Sequence, residues 1–494
     1  AAENGCNVKL VSSLTSERAQ SVMAEGGINA ALNTKDENDS PEEHFTDTIK
    51  AACGLADPNA VWGMTQAAPE LVHWLLKLGV KFNMSGYDDV DLRNFGGQKK
   101  KRTAFAQSDT GKQIMTAMID AVRRKEASGM VERFSHHSFL TLRLCGNICC
   151  GCVIRDEYSQ ETVELPGDAV IVATGGMHGL FGNTTGSLSN TGEVTAELFR
   201  LGVPLANGEM IQYHPTTVKC GGKRMLISEA ARGEGGRLFA MKDGKQWYFM
   251  EEKYPELGNL MPRDITAREI WKVSHESEVF LDMTEISDEI ISNKLSGLAD
   301  DCMTYLHKDI RKEPVSVLPG IHYFMGGILV DEQHRTPIQN LYAAGECCAQ
   351  YHGANRLGGN SLLGALYGGR VAAKSACEQA DVVDLSCATQ IDFPPASQIS
   401  EIKQLNKVMQ ETMGVVRNEN TLLNGIQTVQ ALTGNLPLLG MAVLKSALAR
   451  KESRGAHWRE DYPKSNDDDY LKTTVARFDG KQIQISFVPV PERR

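Results

Sequence analysis

Apolar and polar positions along the chain predict alternating strands and helices, which is typical of an α/β protein. AAENG at the start predicts the end of a helix with Gly5 at its C-cap, and NVKLVSS then predicts a buried strand. DAVIVATGG (168–176) predicts an apolar strand that ends in a tight glycine turn, and IQNLYAAGE (338–346) predicts a second one that ends in an acid. The fold class we expect is therefore α/β.

The order of these strands suggests how the chain is divided. A helix followed by a strand near the start is typical of the second strand of a dinucleotide-binding βαβ unit. The first strand and its G-x-G-x-x-G turn would lie upstream, so we expect this sequence to lack the N-terminal βα turn. The two later strands, roughly 160 residues apart, suggest one sheet interrupted by an inserted domain.

Composition narrows the class of protein. The chain has 494 residues, of which 41% are hydrophobic and 23% charged, and its net charge of −10 argues against a nucleic-acid surface. The one basic run, Lys99–Arg102, is interpreted as a solvated loop. No apolar run reaches the roughly 20 residues that span a bilayer.

Four of the 12 cysteines cluster in CGNICCGC (145–152). The flanking residues predict a strand, a turn and a second strand, so we interpret these cysteines as buried free thiols rather than a metal site. No haem or iron–sulfur ligand pattern occurs, and no metal is predicted.

HGANRLGGNSLL (352–363) places Arg356 among glycines and small polar residues. The stretch is too rich in glycine for a stable helix and too polar for a core strand. A single guanidinium where backbone can approach closely suits a flat anionic ligand beside a bound cofactor.

Four further stretches carry polar residues that could join Arg356. Glu229 and Arg232 are three positions apart and would share a face of a helical turn, where they could form an ion pair. His214 precedes a proline and should be extended, and Arg263 follows Pro262 at the start of a helix. His322 is placed before a strand that has a Gly-Gly bend. Two histidines and three arginines together suit a dicarboxylate.

The motifs, taken in order, resemble the succinate dehydrogenase/fumarate reductase flavoprotein family, whose superfamily includes L-aspartate oxidase. The resemblance runs from about residue 8 to 463, and HGANRLGGNSLL with HYFMGGI is its most specific part. The matching stretches are SVMAEGGINA, DAVIVATGG, QYHPTT, EAARGEGG, PRDITAREI, HYFMGGI, LYAAGE, HGANRLGGNSLL and SRGAHWREDYP.

The resemblance implies a Rossmann-like FAD-binding domain with an inserted α+β capping domain and a C-terminal helical domain. The capping domain would close over the substrate. The expected boundaries are 1–205 and 321–390 for the FAD-binding domain, 206–320 for the capping domain, 396–452 for the helical domain and 453–494 for a C-terminal segment.

The resemblance also implies a role for each candidate residue. Arg263 would donate the proton, supplied through Glu229 and Arg232, while hydride moves between flavin N5 and one alkene carbon. The substrate carboxylates would be held by His214, Ser228, His322 and Arg356. The expected FAD-binding residues are Ser12, Ala24, Gly26, Gly27, Thr174, Gly175, Gly176, Glu346, Asn360, Ser361 and Leu362.

One departure from the family concerns how FAD is attached. In members that form membrane complexes, a histidine before the AEGG or AQGG stretch carries FAD covalently, and Gln20 stands there in this chain. We therefore expect non-covalent FAD. A covalent bond raises the reduction potential of the flavin. Its loss therefore favours fumarate reduction over succinate oxidation.

The resemblance implies an iron–sulfur electron-transfer subunit as partner, and through it a possible association with a membrane. L-Aspartate oxidase and reduction of another α,β-unsaturated acid stay open as alternatives, and a non-catalytic FAD-binding electron carrier is a further one. The sequence does not assign a compartment, a direction of reaction or an electron partner.

Overall fold

The computed structural model describes residues 1–86, 89–382, 393 and 398–494 of the chain. Helices and strands alternate along these residues, as an α/β fold class requires. The strands are β1 (Val8–Ser12), β2 (Ile28–Asn29), β3 (Leu92–Arg93), β4 (Thr103–Ala104), β5 (Val131–Ser135), β6 (His137–Cys145), β7 (Ile148–Asp156), β8 (Thr162–Pro166), β9 (Val170–Val172), β10 (Leu205–Ala206), β11 (Ile211–Cys220), β12 (Lys223–Leu226), β13 (Arg237–Lys242), β14 (Lys245–Trp247), β15 (Val279–Asp282), β16 (Val315–Ser316), β17 (Leu318–Phe324), β18 (Gly327–Leu329), β19 (Leu341–Ala343), β20 (Cys348–Ala349), β21 (Lys472–Phe478) and β22 (Ile483–Pro489).

The helices are α1 (Pro41–Ala51), α2 (Pro58–Leu78), α3 (Thr110–Ala127), α4 (Glu193–Arg200), α5 (Glu229–Gly233), α6 (Phe249–Lys253), α7 (Arg263–Val273), α8 (Asp288–Lys294), α9 (Ser296–Asp301), α10 (Asn360–Gln379), α11 (Ile399–Thr412), α12 (Glu419–Val429), α13 (Asn435–Ala449) and α14 (Asp467–Tyr470).

Parallel strands carry the loops where a dinucleotide would bind. β1 pairs with β5, and β9 pairs with β19. β9 belongs to DAVIVATGG and β19 to IQNLYAAGE, so two segments that are far apart in the chain lie side by side. This pairing confirms that an inserted segment interrupts one sheet. Because ligands bind outside the carboxyl ends of parallel strands, the turns after β9 and β19 are well placed for a cofactor.

The start of the chain follows the prediction in outline. Gly5, with φ of 85°, ends a short 3₁₀ helix over Ala2–Asn4, and the predicted strand forms β1. β1 is not buried, however, since its residues are half-buried or exposed. In the described part of the chain its ladder has one partner, β5, which leaves the other edge of β1 outside any sheet.

The cysteine-rich stretch forms the predicted strand–turn–strand, because β6 and β7 are an antiparallel hairpin. Cys149 and Cys150 are buried free thiols, and Cys152 is a half-buried one. Among the described residues no group of histidine, cysteine and acidic side chains could hold a metal ion.

The disulfide bonds show that not all of the cysteines interpreted as free thiols are free. Cys145 is disulfide-bonded rather than free. Cys6 is bonded to Cys377, with Cα atoms 6.6 Å apart although 371 positions separate them in the chain. Local pattern could not reveal this, because only the fold brings the two cysteines together.

The segment between the two halves of the parallel sheet builds its own core. A four-stranded antiparallel sheet, in the order β14-β13-β15-β16, packs with the helices α5 to α9. Strands β12, β11 and β17 form a second sheet that leads back to the parallel strands. Fully buried residues of this core include Leu238, Ala240, Ile270, Val279 and Leu281.

The C-terminal helices α11, α12 and α13 pack against α4 and one another around an apolar core. β21 then returns to pair with β10, within a sheet ordered β20-β18-β10-β21-β22. In the described residues no helix has the length and apolar character needed to cross a membrane.

The proposed domain boundaries remain predictions. The expected end of the FAD-binding domain at residue 390 and the expected start of the helical domain at residue 396 lie outside the described residues.

Three local predictions are corrected by the structure. Helix α10 begins at Asn360, inside the stretch we expected to lack a helix, because Gly359 takes a positive φ of 83° and caps an apolar segment. His322 lies within β17 rather than before a strand. Arg102 is fully buried and pairs with Asp39 at 2.8 Å, so the basic run is not wholly solvated.

Candidate active site

A buried carboxylate between two arginines forms the centre of the site. Ser228 caps the short helix α5, its hydroxyl accepting from the Ala230 N–H at 3.4 Å. One turn along the helix, Arg232 donates to Glu229 Oε1 at 3.3 Å, so the predicted ion pair forms. Arg263, the first residue of α7, donates to Glu229 Oε2 through Nε at 2.9 Å and a terminal nitrogen at 2.5 Å.

The electrostatics of this triad are set by burial and by the two cations. Burial alone would raise the pKa of Glu229, but Arg263 and Arg232 outweigh it and hold that pKa below its usual value. Burial lowers the pKa of Arg232, with Glu229 opposing and Arg263 adding to the effect. The carboxylate is thus kept ionised between the two guanidinium groups, in a dry environment.

Two neutral histidines lie on neighbouring strands. β11 carries His214 and β17 carries His322, with the ring centroids 5.1 Å apart. Burial, followed by the charge of Arg263, holds the pKa of both histidines well below the usual value. His322 Nδ1 contacts the Thr185 hydroxyl at 2.7 Å, and His214 Nε2 is buried without a hydrogen-bond partner in the described residues.

Arg356 is the second cationic element of the site. It lies in the loop before α10, is 3% exposed, and its Nε has no hydrogen-bond partner among the described residues. Its guanidinium carbon lies 4.4 Å from the centre of the Tyr323 ring. Burial, helped by Arg263, lowers the pKa of Arg356 to about 9.

The sequence analysis missed two polar residues of the site. Gln212, two positions before His214, accepts from Arg263 at 3.1 Å and donates to the Arg356 carbonyl at 2.9 Å. Glu25 has a buried Oε2 without a hydrogen-bond partner in the described part of the chain. Glu25 lies in SVMAEGG and Gln212 in QYHPTT, so position within the motifs was a signal for both.

Glu25 differs electrostatically from Glu229. Burial, and then the negative charge of Asp301, raise the pKa of Glu25 to about 8. Asp109 acts in the same direction, while Arg93 and the hydroxyl of Ser228 oppose it. At neutral pH this side chain is therefore largely a protonated acid, able to donate a hydrogen bond.

The predicted cofactor residues fall into two groups. Thr174, Gly175 and Gly176 follow β9, and the last of them lies against Glu346, since a Cβ on Gly176 would lie 2.6 Å from Glu346 Oε1. Glu346 also accepts from the Phe324 N–H at 3.0 Å. Ser12 ends β1, on the other pair of parallel strands.

Ala24, Gly26 and Gly27 form the second group with the start of α10. A Cβ on Gly26 would lie 3.0 Å from the Phe95 ring, and one on Gly358 would lie 2.9 Å from the same side chain. The two glycine loops thus converge on Phe95, beside Glu229. The first turn of the 20-residue helix α10 consists of Asn360, Ser361 and Leu362.

Asn360 is held by its side chain rather than left free. Its amide oxygen accepts from Asn29 at 2.8 Å and lies 2.9 Å from His44 Nε2, and its amide nitrogen donates to Thr48 at 3.0 Å. Gln20, where the resemblance places the linking histidine, accepts from the Ser187 N–H at 2.5 Å.

These residues fit a flavin dinucleotide. Glycine turns after parallel strands admit backbone close to a phosphate or ring, and the unpaired N–H groups at a helix N-terminus donate hydrogen bonds to acceptor atoms of a ligand. Buried polar atoms without a protein partner normally face a ligand. Glu25, His214 and Arg356 each have such an atom among the described residues, which also fits a bound ligand here. The arrangement can hold a dianion beside a cofactor and move a proton along the Arg232–Glu229–Arg263 triad.

Comparisons with known proteins agree with this geometry. Residues 1–362 match the FAD binding domain model, and residues 432–493 match the model for the fumarate reductase flavoprotein C-terminus. The chain is 37% identical to the succinate dehydrogenase flavoprotein subunit of Bacillus subtilis, covering 100% of this chain and 95% of that protein. It is 31% identical to the 8-methylmenaquinol:fumarate reductase flavoprotein subunit of Wolinella succinogenes, covering 99% and 88%.

Among solved structures, Escherichia coli quinol fumarate reductase superposes with a TM-score of 0.89 at 26% identity. The match covers 99% of this chain and 93% of that one. The predicted fold class, an FAD-binding α/β domain followed by a distinct C-terminal part, is confirmed by these matches.

Proposed function

Because the chain belongs to the succinate dehydrogenase/fumarate reductase flavoprotein family, we propose that it interconverts fumarate and succinate, with fumarate reduction as the favoured direction. The family makes it an FAD-dependent oxidoreductase acting on a CH–CH group. One observation supports the choice of substrate. Arg263 and Arg232 both pair with Glu229, whereas Arg356 has no carboxylate partner in the described residues and can bind a carboxylate of the substrate.

The substrate would be held at both ends. Arg356, a buried cation without an ion-pair partner in the described chain, takes one carboxylate, and His322 adds a neutral hydrogen bond. His214 and the Ser228 hydroxyl hold the other carboxylate. His214 presents an Nε2–H when its Nδ1 accepts from the Thr216 N–H at 3.3 Å. Desolvation strengthens each of these contacts.

Proton transfer falls to Arg263. FAD, when bound, supplies or accepts the hydride at one carbon of the substrate. Arg263 delivers a proton to the other carbon, and Glu229 and Arg232 return a proton to it along hydrogen bonds of 2.5–3.3 Å. An arginine normally keeps its proton, so this role needs immediate resupply. The same cations stabilise negative charge that develops on the carboxylate during reduction.

Non-covalent FAD is part of the proposal. The amide of Gln20 cannot form the bond that a histidine makes at this position, and it is already engaged with the backbone of Ser187. Thr174–Gly176 and Glu346 would lie along the dinucleotide, and the loops at Gly26 and Gly358 along the flavin. The absence of that covalent bond is our reason for favouring fumarate reduction.

The domain division and the partner are also proposed. Residues 206–320 would close over the substrate as a cap between the two parts of the FAD-binding domain, 1–205 and 321–390. The helical part would span 396–452, and the C-terminal segment 453–494. An iron–sulfur subunit would carry electrons to this chain, since curated relatives are named flavoprotein subunits. Membrane association would come through such partners.

The test uses the full chain loaded with FAD. The flavin is reduced anaerobically, fumarate is added, and flavin absorbance is followed. We expect rapid reoxidation, and we expect Arg263→Gln to slow it by about 10²-fold or more while FAD stays bound. Arg268→Gln is the matched control: it lies on the same helix but stacks on Trp458, 4.1 Å from its ring, outside the site.

Other outcomes identify the alternatives. A flavin that fumarate leaves reduced, with FAD firmly bound, would overturn the assignment to fumarate and direct the search to other α,β-unsaturated acids. Anaerobic bleaching of the oxidised flavin by L-aspartate would instead identify an L-aspartate oxidase. Electron transfer that Arg263→Gln leaves unchanged would indicate a non-catalytic carrier.

A further inference from the structure

Arg356 is stabilised in a way that differs from the other buried arginines of the site. Arg263 and Arg232 both pair with Glu229, whereas Arg356 has no carboxylate within ion-pair distance in the described residues. Its guanidinium lies over the ring of Tyr323, 4.4 Å from the centroid. An aromatic face attracts a cation through its quadrupole, without carrying a charge that neutralises it.

Tyr323 is held rigidly in this position. It lies in β17 and pairs with Gln212 of β11, whose side chain donates to the Arg356 carbonyl. The ring of His352 packs edge-on against the Tyr323 ring, with centroids 5.3 Å apart and planes at 79°. Tyr323 and His352 are 8% and 5% exposed. Strand pairing on one side and the imidazole on the other thus fix the plane on which the guanidinium rests.

We propose that Tyr323 is a positioning residue of the carboxylate site, whose ring face keeps the guanidinium of Arg356 charged, fixed and free for an incoming carboxylate. A carboxylate in place of the ring would compete with the substrate for the guanidinium. An aliphatic side chain would leave the cation desolvated with no compensation. A neutral π face avoids both penalties.

This inference rests on the proposed function, because it takes the ligand of Arg356 to be a dicarboxylate. The probe is malonate, a saturated dicarboxylate that cannot be reduced, added to the oxidised FAD-loaded chain. Its dissociation constant is read from the change in flavin absorbance. Binding is therefore measured without turnover.

The main experiment changes the electrons of the ring and keeps its shape. Stop-codon suppression places phenylalanine, monofluorophenylalanine and trifluorophenylalanine at position 323. Fluorine withdraws electrons from the ring face and weakens its attraction for a cation. Tyr323→Phe should keep the malonate dissociation constant within about twofold, and the trifluoro ring should raise it about 5- to 30-fold, with the monofluoro ring between them.

A pH series adds a second readout. Malonate affinity of the parent chain should fall as the pH rises through about 9, where half of Arg356 has lost its proton. A weakened ring face should move that fall to lower pH, because it stabilises the cation less. The charged and titratable groups that face Arg356 are Arg263, Tyr323, Glu346, Glu229, His322 and His352.

Tyr248 provides the matched control, because it stacks on Arg237 at 3.7 Å outside the site. The same fluorinated series there should leave malonate binding unchanged. Equal dissociation constants across the series at position 323 would overturn the role of the ring. Failure of the parent chain to bind malonate would overturn the dicarboxylate assignment instead. Tyr323→Leu, which removes the ring, should weaken binding at least as much as the trifluoro ring, provided that it retains FAD.

Discussion

At the scale of single residues, the two glutamates of the site behave in opposite ways. Glu229 lies between two guanidinium groups that outweigh its burial, so it stays ionised, whereas burial, and then acidic neighbours, keep Glu25 protonated. The residue type is the same, so the surroundings decide which side chain is a carboxylate and which is a protonated acid that can donate a hydrogen bond.

Replacing Glu229 by glutamine should leave two buried cations without a counter-ion. We expect the free energy of unfolding to fall by about 3 kcal/mol, together with loss of flavin reoxidation by fumarate. Glu251→Gln breaks a comparable arginine pair at a half-exposed site, where Glu251 accepts from Arg237 at 2.7 Å, and should cost less than about 1 kcal/mol. Chemical unfolding of both variants checks this contrast, which equal losses would contradict.

Glu25 gives a prediction for pH. Its pKa is raised in the folded protein, by burial first, from an ordinary value of 4.5 to about 8. Between these values the folded state holds a proton that the unfolded state has lost, so this group makes stability fall as pH rises from about 4.5 to 8. Glu25→Gln removes the effect.

The unfolding free energy of Glu25→Gln, relative to the parent chain, should therefore increase between pH 5 and pH 8, by about 1–3 kcal/mol. Thermal unfolding across this range is the measurement. A difference between the two proteins that stays constant with pH would show that Glu25 titrates normally.

At the scale of elements, the start of α10 fixes the position of the glycine loop at residues 358–359. Gly359 has a φ of 83°, and a Cβ there would lie 2.1 Å from Asn29 Oδ1. Asn29 cannot yield, because that oxygen accepts from Gln98 at 3.0 Å and from Thr103 at 2.6 Å. The turn and the amide cluster beneath it therefore require glycine.

Gly359→Ala should cost about 2–4 kcal/mol of stability and weaken FAD retention, because it strains the turn and displaces the amide cluster. Gly369→Ala, inside the same helix with no atom within 4 Å of the new Cβ, should instead stabilise by about 0.5–1 kcal/mol. Flavin absorbance after gel filtration and thermal unfolding compare the two. Normal FAD retention by Gly359→Ala would contradict the role given to this turn.

Elements were predicted well where one local rule decides them. Pro262 before Arg263 and the helical spacing of Glu229 and Arg232 gave the correct helices and the ion pair, since caps and spacing act within a few residues. The exposure of β1 and the start of α10 were missed. The exposure of β1 depends on β5, a partner far away in the chain, whereas the start of α10 was missed because the glycines before it were taken as unfavourable to a helix rather than as its cap.

The same limit applies within the site. Motif resemblance supplied the candidate residues, but not how they are held. Gln212 was missed because its two contacts, with Arg263 and with the Arg356 backbone, exist only after strand and loop have come together. Tyr323 was missed for the same reason, because the residue it contacts, Arg356, is 33 positions further along the chain.

At the scale of the whole molecule, the C-terminal segment is joined to β11, the strand that carries His214. Arg450, at the end of α13, donates to Glu209 at 2.7 Å and to Glu452 at 2.7 Å, with all three side chains fully buried. Thr474 of β21 also donates to Glu209, at 2.5 Å. Glu209 lies just before β11, so this cluster links the helical part, the last strands and the start of the His214 strand.

Arg450→Met should therefore affect more than its own neighbourhood. It leaves the buried carboxylate of Glu209 without a cation, while Glu452 keeps its pair with Arg454 at 2.8 Å, and this should cost about 3–5 kcal/mol. Arg335→Met, which breaks the half-exposed pair with Asp331, should cost less than about 1 kcal/mol. Because the cluster joins the helical part to β11, flavin release and loss of helical circular dichroism should shift together to lower temperature in Arg450→Met. A shift of the helical signal alone, with flavin release unchanged, would mean that the C-terminal part unfolds independently of the active site.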